Sequence, residues 1–373
     1  MQSNLWLKYL AVALILGAGL LACSPDTGSG NGGGGSGDVD TDVDGDTDTD
    51  ADSDTDADAD SDWNLDGGGD ADSDGDGGPI LPDCKNCAAV GSSLENMRCA
   101  VDLCDDAVFL NQQFTSPTNA KTQGAYAAVA RFGASSNDLA PLLNGSYALM
   151  ASGTATGSSH SVAMGGNGQQ DPFPNDKTRT TYDVMEWKLH LKAPKGAHGF
   201  QIYYVFLSEE YDEYVGSVYN DKFYIFLEAK STNNGQKSVI NFTKCRSASY
   251  AGDKTCDKQL ADMGLCAQGD KLCYIAINTA LSECCWYQSC PNGKWTTDIS
   301  GTGFTCAASR LADSAARGSS TGWLKTEWPV DPEEEFDVTF HVHDTSDHIL
   351  DSEVIIDKFL FVGKAEPGTV PIN

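Results

Sequence analysis

The chain has 373 residues and a formal net charge of −30 at pH 7, from 54 acidic and 24 basic side chains. Residues 24–82 hold 19 aspartates and no Lys or Arg, which accounts for −19 of that charge. Lys8 adds +1 to the first 23 residues, so residues 83–373 carry −12, an ordinary acidic balance without the basic stripe that nucleic acid requires.

The N-terminus reads as a targeting segment. Lys8 precedes an apolar run from Tyr9 to Ala22 that is too short for a comfortable membrane span and has no stop-transfer pattern after it. The run ends in Leu20-Leu21-Ala22-Cys23, which resembles a bacterial lipobox whose cysteine is lipidated and becomes the mature N-terminus. A plain secretory signal with an incidental cysteine is the alternative, but no A-x-A cleavage site ends the apolar run. Ser24, not Asp, follows the cysteine, which by enteric sorting rules favours the outer membrane. The expectation is a lipoprotein signal over residues 1–23 and attachment to the bacterial outer membrane or cell surface through lipid on Cys23.

Residues 24–82 read as a disordered linker. From Asp38 to Asp62 every second residue is aspartate. Such a chain buries no core, repels itself and stays extended, as a solvated stalk would. Asp72-x-Asp74-x-Asp76-Gly77, with Asp83 at the twelfth position, matches half of an EF-hand loop. That spacing arises trivially in such a tract, however, and Pro79 stands where those loops place an apolar residue.

From Cys84 the composition becomes globular. Ser92-x-x-Glu95 has the form of a capping box opening a short helix that runs to about Cys104. β-like runs follow, separated by Gly, Asn, Ser and Pro: 125–132, 146–151, 181–191, 199–207, 223–229, 238–242, 274–278, 336–343 and 353–362. Many short strands with turn signals between them predict an all-β fold. The expected architecture over residues 83–373 is a β-sandwich, jelly-roll-like, with one short N-terminal helix and a cysteine-rich insertion. Two of the runs flank Ser208–Lys222, 15 residues that carry Glu209, Glu210, Asp212, Glu213 and Asp221 against one lysine. A polar connection that long in a compact β-domain is usually functional or tied down.

Twelve cysteines follow Cys23, in two blocks: Cys84, Cys87, Cys99 and Cys104, then Cys245, Cys256, Cys266, Cys273, Cys284, Cys285, Cys290 and Cys306. In an exported chain they read as a disulfide framework closed within each block, with the connectivity open. A zinc knuckle at the first block is the lesser alternative.

The acidic connection and its surroundings resemble a known module. Phe206-Leu207-Ser208-Glu209-Glu210-Tyr211, then Glu213-Tyr214-Val215-Gly216-Ser217 and Asn220-Asp221-x-Phe223, are similar to the signature of the choice-of-anchor L domain, a bacterial surface module. Phe132-Gly133 and Leu149-x-x-Ser152-Gly153-x-Ala155 resemble its early glycine-rich element. Asp344-x-x-Asp347-x-x-Leu350-Asp351-Ser352-x-Val354-x-x-Asp357-x-Phe359 resembles its closing element. The likeness covers most of residues 105–363 and departs from the pattern between Cys245 and Cys306. It implies a cell-surface location and leaves the biochemical activity open.

Acidic residues are the leading candidates for chemistry. Glu209, Glu210 and Asp221, with Asp344, Asp347, Asp351 and Asp357, are expected to converge at one end of the sandwich. Clustered carboxylates repel unless a cation neutralises them, and calcium takes six to eight oxygen ligands. The alternative is that they cap turns and accept backbone N–H bonds. His341-x-His343 lies on the strand face opposite Phe336, Val338, Phe340 and Val342, either facing water or sharing a zinc. The Gly-x-Ser-x-Gly match at Gly318-Ser319-Ser320-Thr321-Gly322 has no helical pattern after it and so lacks the strand–turn–helix context of a nucleophile elbow. The resulting expectation is a surface protein that binds a glycan, matrix or protein ligand and no nucleic acid, with calcium as its one candidate cofactor. A secreted hydrolase and a structural envelope component are the alternatives.

Overall fold

The computed structural model describes residues 79–372 apart from 81, 83, 85–86, 88, 156–161, 173–178, 211–213, 215–216, 245–253, 257, 263–265, 278, 280–282, 285–296 and 305–317. The signal segment with Cys23, the aspartate tract and the Asp72–Asp83 pattern lie outside the described residues. So do Cys245, Cys285, Cys290, Cys306 and the side chain of Cys284.

Two antiparallel sheets of nine described strands each form a sandwich. In the first, Gly199–Ser208 pairs with Ser352–Val362, which pairs with Tyr147–Ala151, which pairs with Tyr126–Val129. Leu324–Trp328 adds to Gly199–Ser208, and Gly368–Pro371 adds to Leu324–Trp328. Pro79–Ile80 pairs with Phe361 and Val362. In the second sheet, Glu335–Thr345 lies between Thr180–Lys192 and Lys222–Glu228. Phe109–Thr115 extends one side of it and Lys271–Ala276 the other. The strands at 109–115 and 324–328 were not anticipated from sequence. Phe109–Thr115 has no fully buried position, and only three residues of Leu324–Trp328 are fully buried, so neither presents a continuous apolar run.

The core between the sheets is built by side-chain parity, since alternate residues of a strand share a face. Ile202, Tyr204 and Phe206 with Val354 and Ile356 meet Met185, Trp187, Leu189, Phe223, Ile225, Val338, Phe340 and Val342. Ring pairs bridge the sheets: Tyr204–Phe223 at 5.1 Å, Phe200–Phe336 stacked at 5.5 Å, and Phe336–Phe361 edge-on at 6.3 Å. Burying each such ring stabilises the fold by about 2–3 kcal/mol. Lys358, at φ 52°, marks a bulge at which the inward set of its strand changes from Val354 and Ile356 to Phe359 and Phe361.

The outer face of the first sheet is also buried. Tyr147, Leu149, Val205, Leu207 and Ile355 pack under Phe132, Leu139, Ile299 and Phe304. Residues 297–304, from the end of the cysteine-rich stretch, bond to residues 134–138 through Ala134 N to Ser300 O at 2.8 Å and Asp138 N to Asp298 O at 2.9 Å. The insertion therefore contributes part of a cover over the sheet.

The N-terminal helix is Leu94–Ala100, shorter than expected and capped one residue later. Ser93, not Ser92, accepts the Asn96 N–H, and the Asn96 side chain accepts the Ser93 N–H, so Asn96 takes the role assigned to Glu95. A second short helix, Lys258–Asp262, lies in the cysteine-rich stretch. Disulfides join Cys84 to Cys104, Cys87 to Cys99 and Cys256 to Cys266, all within their blocks, and Cys273 is also disulfide-bonded. Disulfide bonding of all four first-block cysteines excludes the zinc knuckle.

Candidate functional site

At one end of the sandwich the inward stripes turn from apolar to polar. On Glu335–Thr345 the series Phe336, Val338, Phe340, Val342 continues to Asp344. On Gly199–Ser208 it continues to Ser208, and on Ser352–Val362 it begins at Ser352. Asp344, Ser208, Ser352 and Ser152 are all fully buried. A bulge on the partner strand, where register shifts between Val342 and Asp344, holds Asp183 at φ 44°. Bulges of this kind re-aim side chains next to sites. Asp183 accepts N–H bonds from Met164 at 2.9 Å and Gly166 at 3.0 Å, and the His348 ring lies 3.3 Å from it.

The acidic loop packs against the closing segment here. Asp221 accepts the Thr345 N–H at 2.8 Å with one oxygen and the Ser352 hydroxyl at 2.8 Å with the other. The Thr345 hydroxyl donates to Asn220 O, the Ser346 hydroxyl to Val218 O, and the Glu209 N–H to Asp351 O. Glu210 accepts the Asp221 N–H at 3.0 Å. Asp351 accepts the Val162 N–H at 3.0 Å and lies directly over Gly153, where a Cβ would stand 1.9 Å from its carboxylate. The Ser152-Gly153 pair and the Asp351-Ser352 pair, 200 residues apart, are thus two halves of one contact: Ser352 N also donates to Ser152 Oγ at 2.9 Å.

Glu210, Asp221, Asp344 and Asp351 therefore come together, with Asp347 half-buried beside them. The Asp347 carboxylate accepts the Ile349 N–H. Glu209 is half-buried, its backbone engaged as above. Asp357 does not join the cluster. It lies farther along its strand, under the outer cover, where it accepts the Leu142 N–H at 2.6 Å. Asp183 and the buried serines were missed from sequence. Their signal was parity: Asp183, Ser208 and Ser352 continue the apolar stripes of their strands.

Burial dominates the electrostatics. It pushes Asp221 up to about 8, against the Thr345 and Ser352 bonds, and Asp351 up to about 7, against the Val162 bond. Glu210 is raised well above the usual carboxylate range by burial and then by Asp221. Asp344 is raised likewise by burial, then by the charges of Asp221 and Asp351, with the nearby Ser152 hydroxyl pulling the other way. Neither Asp344 oxygen has a hydrogen-bond partner among the described residues, nor does Asp351 Oδ1. Among the described residues no three of these carboxylates bring oxygens within 4.8 Å of one another. The triple that does form at that spacing, Cys87, Glu95 and Cys99, has both thiols spent in a disulfide.

The histidine pair is buried, not solvated. His341 Nε2 and His343 Nδ1 are 2.9 Å apart, and His341 Nδ1 is 2.9 Å from Glu186. Asp171 lies 3.8 Å from His343 and binds Lys222 Nζ at 2.8 Å and the Tyr224 hydroxyl at 2.9 Å. Burial opposes the charge of Glu186, but His341 and Lys237 outweigh it and keep its pKa below the usual value. His343 is pushed well down by burial, which keeps it neutral. Both rings are fully buried, and both His341 nitrogens are engaged, by Glu186 and by His343.

No family model and no curated protein matches the sequence. Among solved structures, TmCBM61 in complex with beta-1,4-galactotriose aligns at 8% identity and a TM-score of 0.25, over 69% of this chain and 90% of that one. A superposition that loose says nothing about what this chain binds.

Proposed function

We propose that the chain is a lipid-anchored bacterial surface protein of the choice-of-anchor L type, whose β-sandwich binds a surface glycan, matrix component or protein. The observation that supports a binding end is the rim around the acidic cluster. Tyr182 and His348 pack ring to ring at 4.1 Å, and Tyr214 and Tyr219 edge-on at 5.2 Å, all partly exposed. Val218 and Ile349, 49% and 61% exposed, lie in two sequence-distant segments that the Ser346–Val218 bond joins. Amphipathic rings, one on the strand Thr180–Lys192 and three in the connections beside it, offer contact area at low entropic cost.

The test is a glycan and matrix-protein array probed with the full chain in detergent. Binding that Tyr182→Ala or Tyr219→Ala weakens tenfold or more would support this reading. Array binding unchanged in both variants would move the site elsewhere. The hydrolase alternative predicts turnover of a bound polymer, and the structural alternative predicts no ligand at all.

A further inference from the structure

We propose that Asp344 and Asp351 are direct ligands of a calcium ion that closes the acidic end of the sandwich, with Asp221 contributing its charge from behind them. The inference goes beyond the surface-binding reading and does not depend on it.

Asp344 is the side chain that demands an explanation. It is fully exposed to the interior and not to water, both its oxygens lack a hydrogen-bond partner, and the charges acting on it, Asp221, Asp351 and Asp183, share its sign. An ionised carboxylate left so would cost far more than a fold can offset, so it must take up a proton or face a cation. The same sandwich shows how a buried carboxylate is otherwise accommodated. Asp171 has the Lys222 ammonium at 2.8 Å and the Tyr224 hydroxyl at 2.9 Å. Asp344 has no such cation among the described residues.

The donors around it are oxygens. Asp351 offers Oδ1, which is also without a partner, while its Oδ2 is held by the Val162 N–H. The Ser152 hydroxyl lies near Asp344, and strand ends supply carbonyls. Asp221 has both oxygens engaged, by Thr345 and Ser352, so it acts through its charge and not as a ligand. Two carboxylates completed by hydroxyl, carbonyl and water oxygens agree with the absence of a three-carboxylate convergence among the described residues. Hard oxygen donors without sulfur or imidazole suit calcium, which accepts irregular sets of six to eight oxygens, better than zinc.

The test uses the full chain, stripped with chelator and melted at pH 7.5 over a series of free calcium concentrations. Wild type should gain about 2–4 °C in Tm for each tenfold of free calcium once the site saturates. Asp344→Asn should fold, since the change is isosteric and removes a buried charge, and should show no such gain. Asp351→Asn should behave alike and serves if the first variant fails to fold. The aspartate tract of residues 38–62 is intact in all three chains, so weak binding there cancels in the comparison. An unchanged wild-type Tm between excess chelator and millimolar calcium would overturn the site in favour of protonated carboxyls. A full calcium response in either variant would overturn the ligand assignment.

Discussion

Gly153 has no positive φ, yet it admits no side chain, because the Asp351 carboxylate occupies the space a Cβ would fill. Gly153→Ala is expected to push Asp351 aside, costing about 1–3 kcal/mol in urea unfolding. Ser352→Ala should cost a similar amount, about 1–3 kcal/mol, by leaving one oxygen of the buried Asp221 without its donor. Protons are read at the same scale. Without calcium, burial raises the folded Asp351 carboxyl to about 7, against an ordinary 3.8. The native state therefore holds more protons between those values. The stability Asp351 contributes is complete below about pH 4 and is lost as pH rises through 7. Relative to Asp351→Asn, wild type should lose roughly 2–4 kcal/mol between pH 4 and pH 8. Parallel urea midpoints across that range would contradict the raised value.

The strand Glu335–Thr345 carries two different polar devices on its two faces. One face ends its apolar stripe in Asp344, and the other buries His341 and His343 between Glu186 and Asp171. Lys222→Met should destabilise the fold by about 3–5 kcal/mol, because it takes the ammonium away from the buried Asp171 carboxylate. Adding Asp171→Asn should recover much of that loss, and a double-mutant cycle in urea reads the coupling. The central strands were legible because they are short apolar runs bounded by turn residues, and the expected convergence of acidic residues joined two segments far apart in sequence, as the Asp221 bonds to Thr345 and Ser352 show. The capping box was misplaced by one residue because Ser92 and Ser93 both precede an acceptable partner, and only backbone geometry selects Ser93 and Asn96. The histidines were read by parity alone. Parity identifies their face but not the cover laid over it. Asp357 was grouped with the cluster because its motif is continuous. Its parity with Ile355 turns it instead to the outer face of the sheet, against Leu142.

On the scale of the whole molecule, the two first-block disulfides fasten the start of the globular chain to the helix and the turn after it. Replacing Cys84 and Cys104 together by alanine should cost about 2–4 kcal/mol, measured against wild type without reductant. For the proposed anchor, Cys23→Ala should move the protein from the membrane fraction to the soluble one, since lipid contributes about 0.8 kcal/mol per buried CH₂. Unchanged fractionation would remove the lipid. The pairing of Pro79–Ile80 with Phe361 and Val362 adds a directional consequence. Those partners stand at the opposite end of their strand from Ser352, about 30 Å away at roughly 3.3 Å per residue. Under the proposed attachment through Cys23, the sandwich is therefore entered at the end opposite its acidic pole, and a ligand would reach the rim of Tyr182, Tyr219 and His348 without crossing the strand end that Pro79 pairs with.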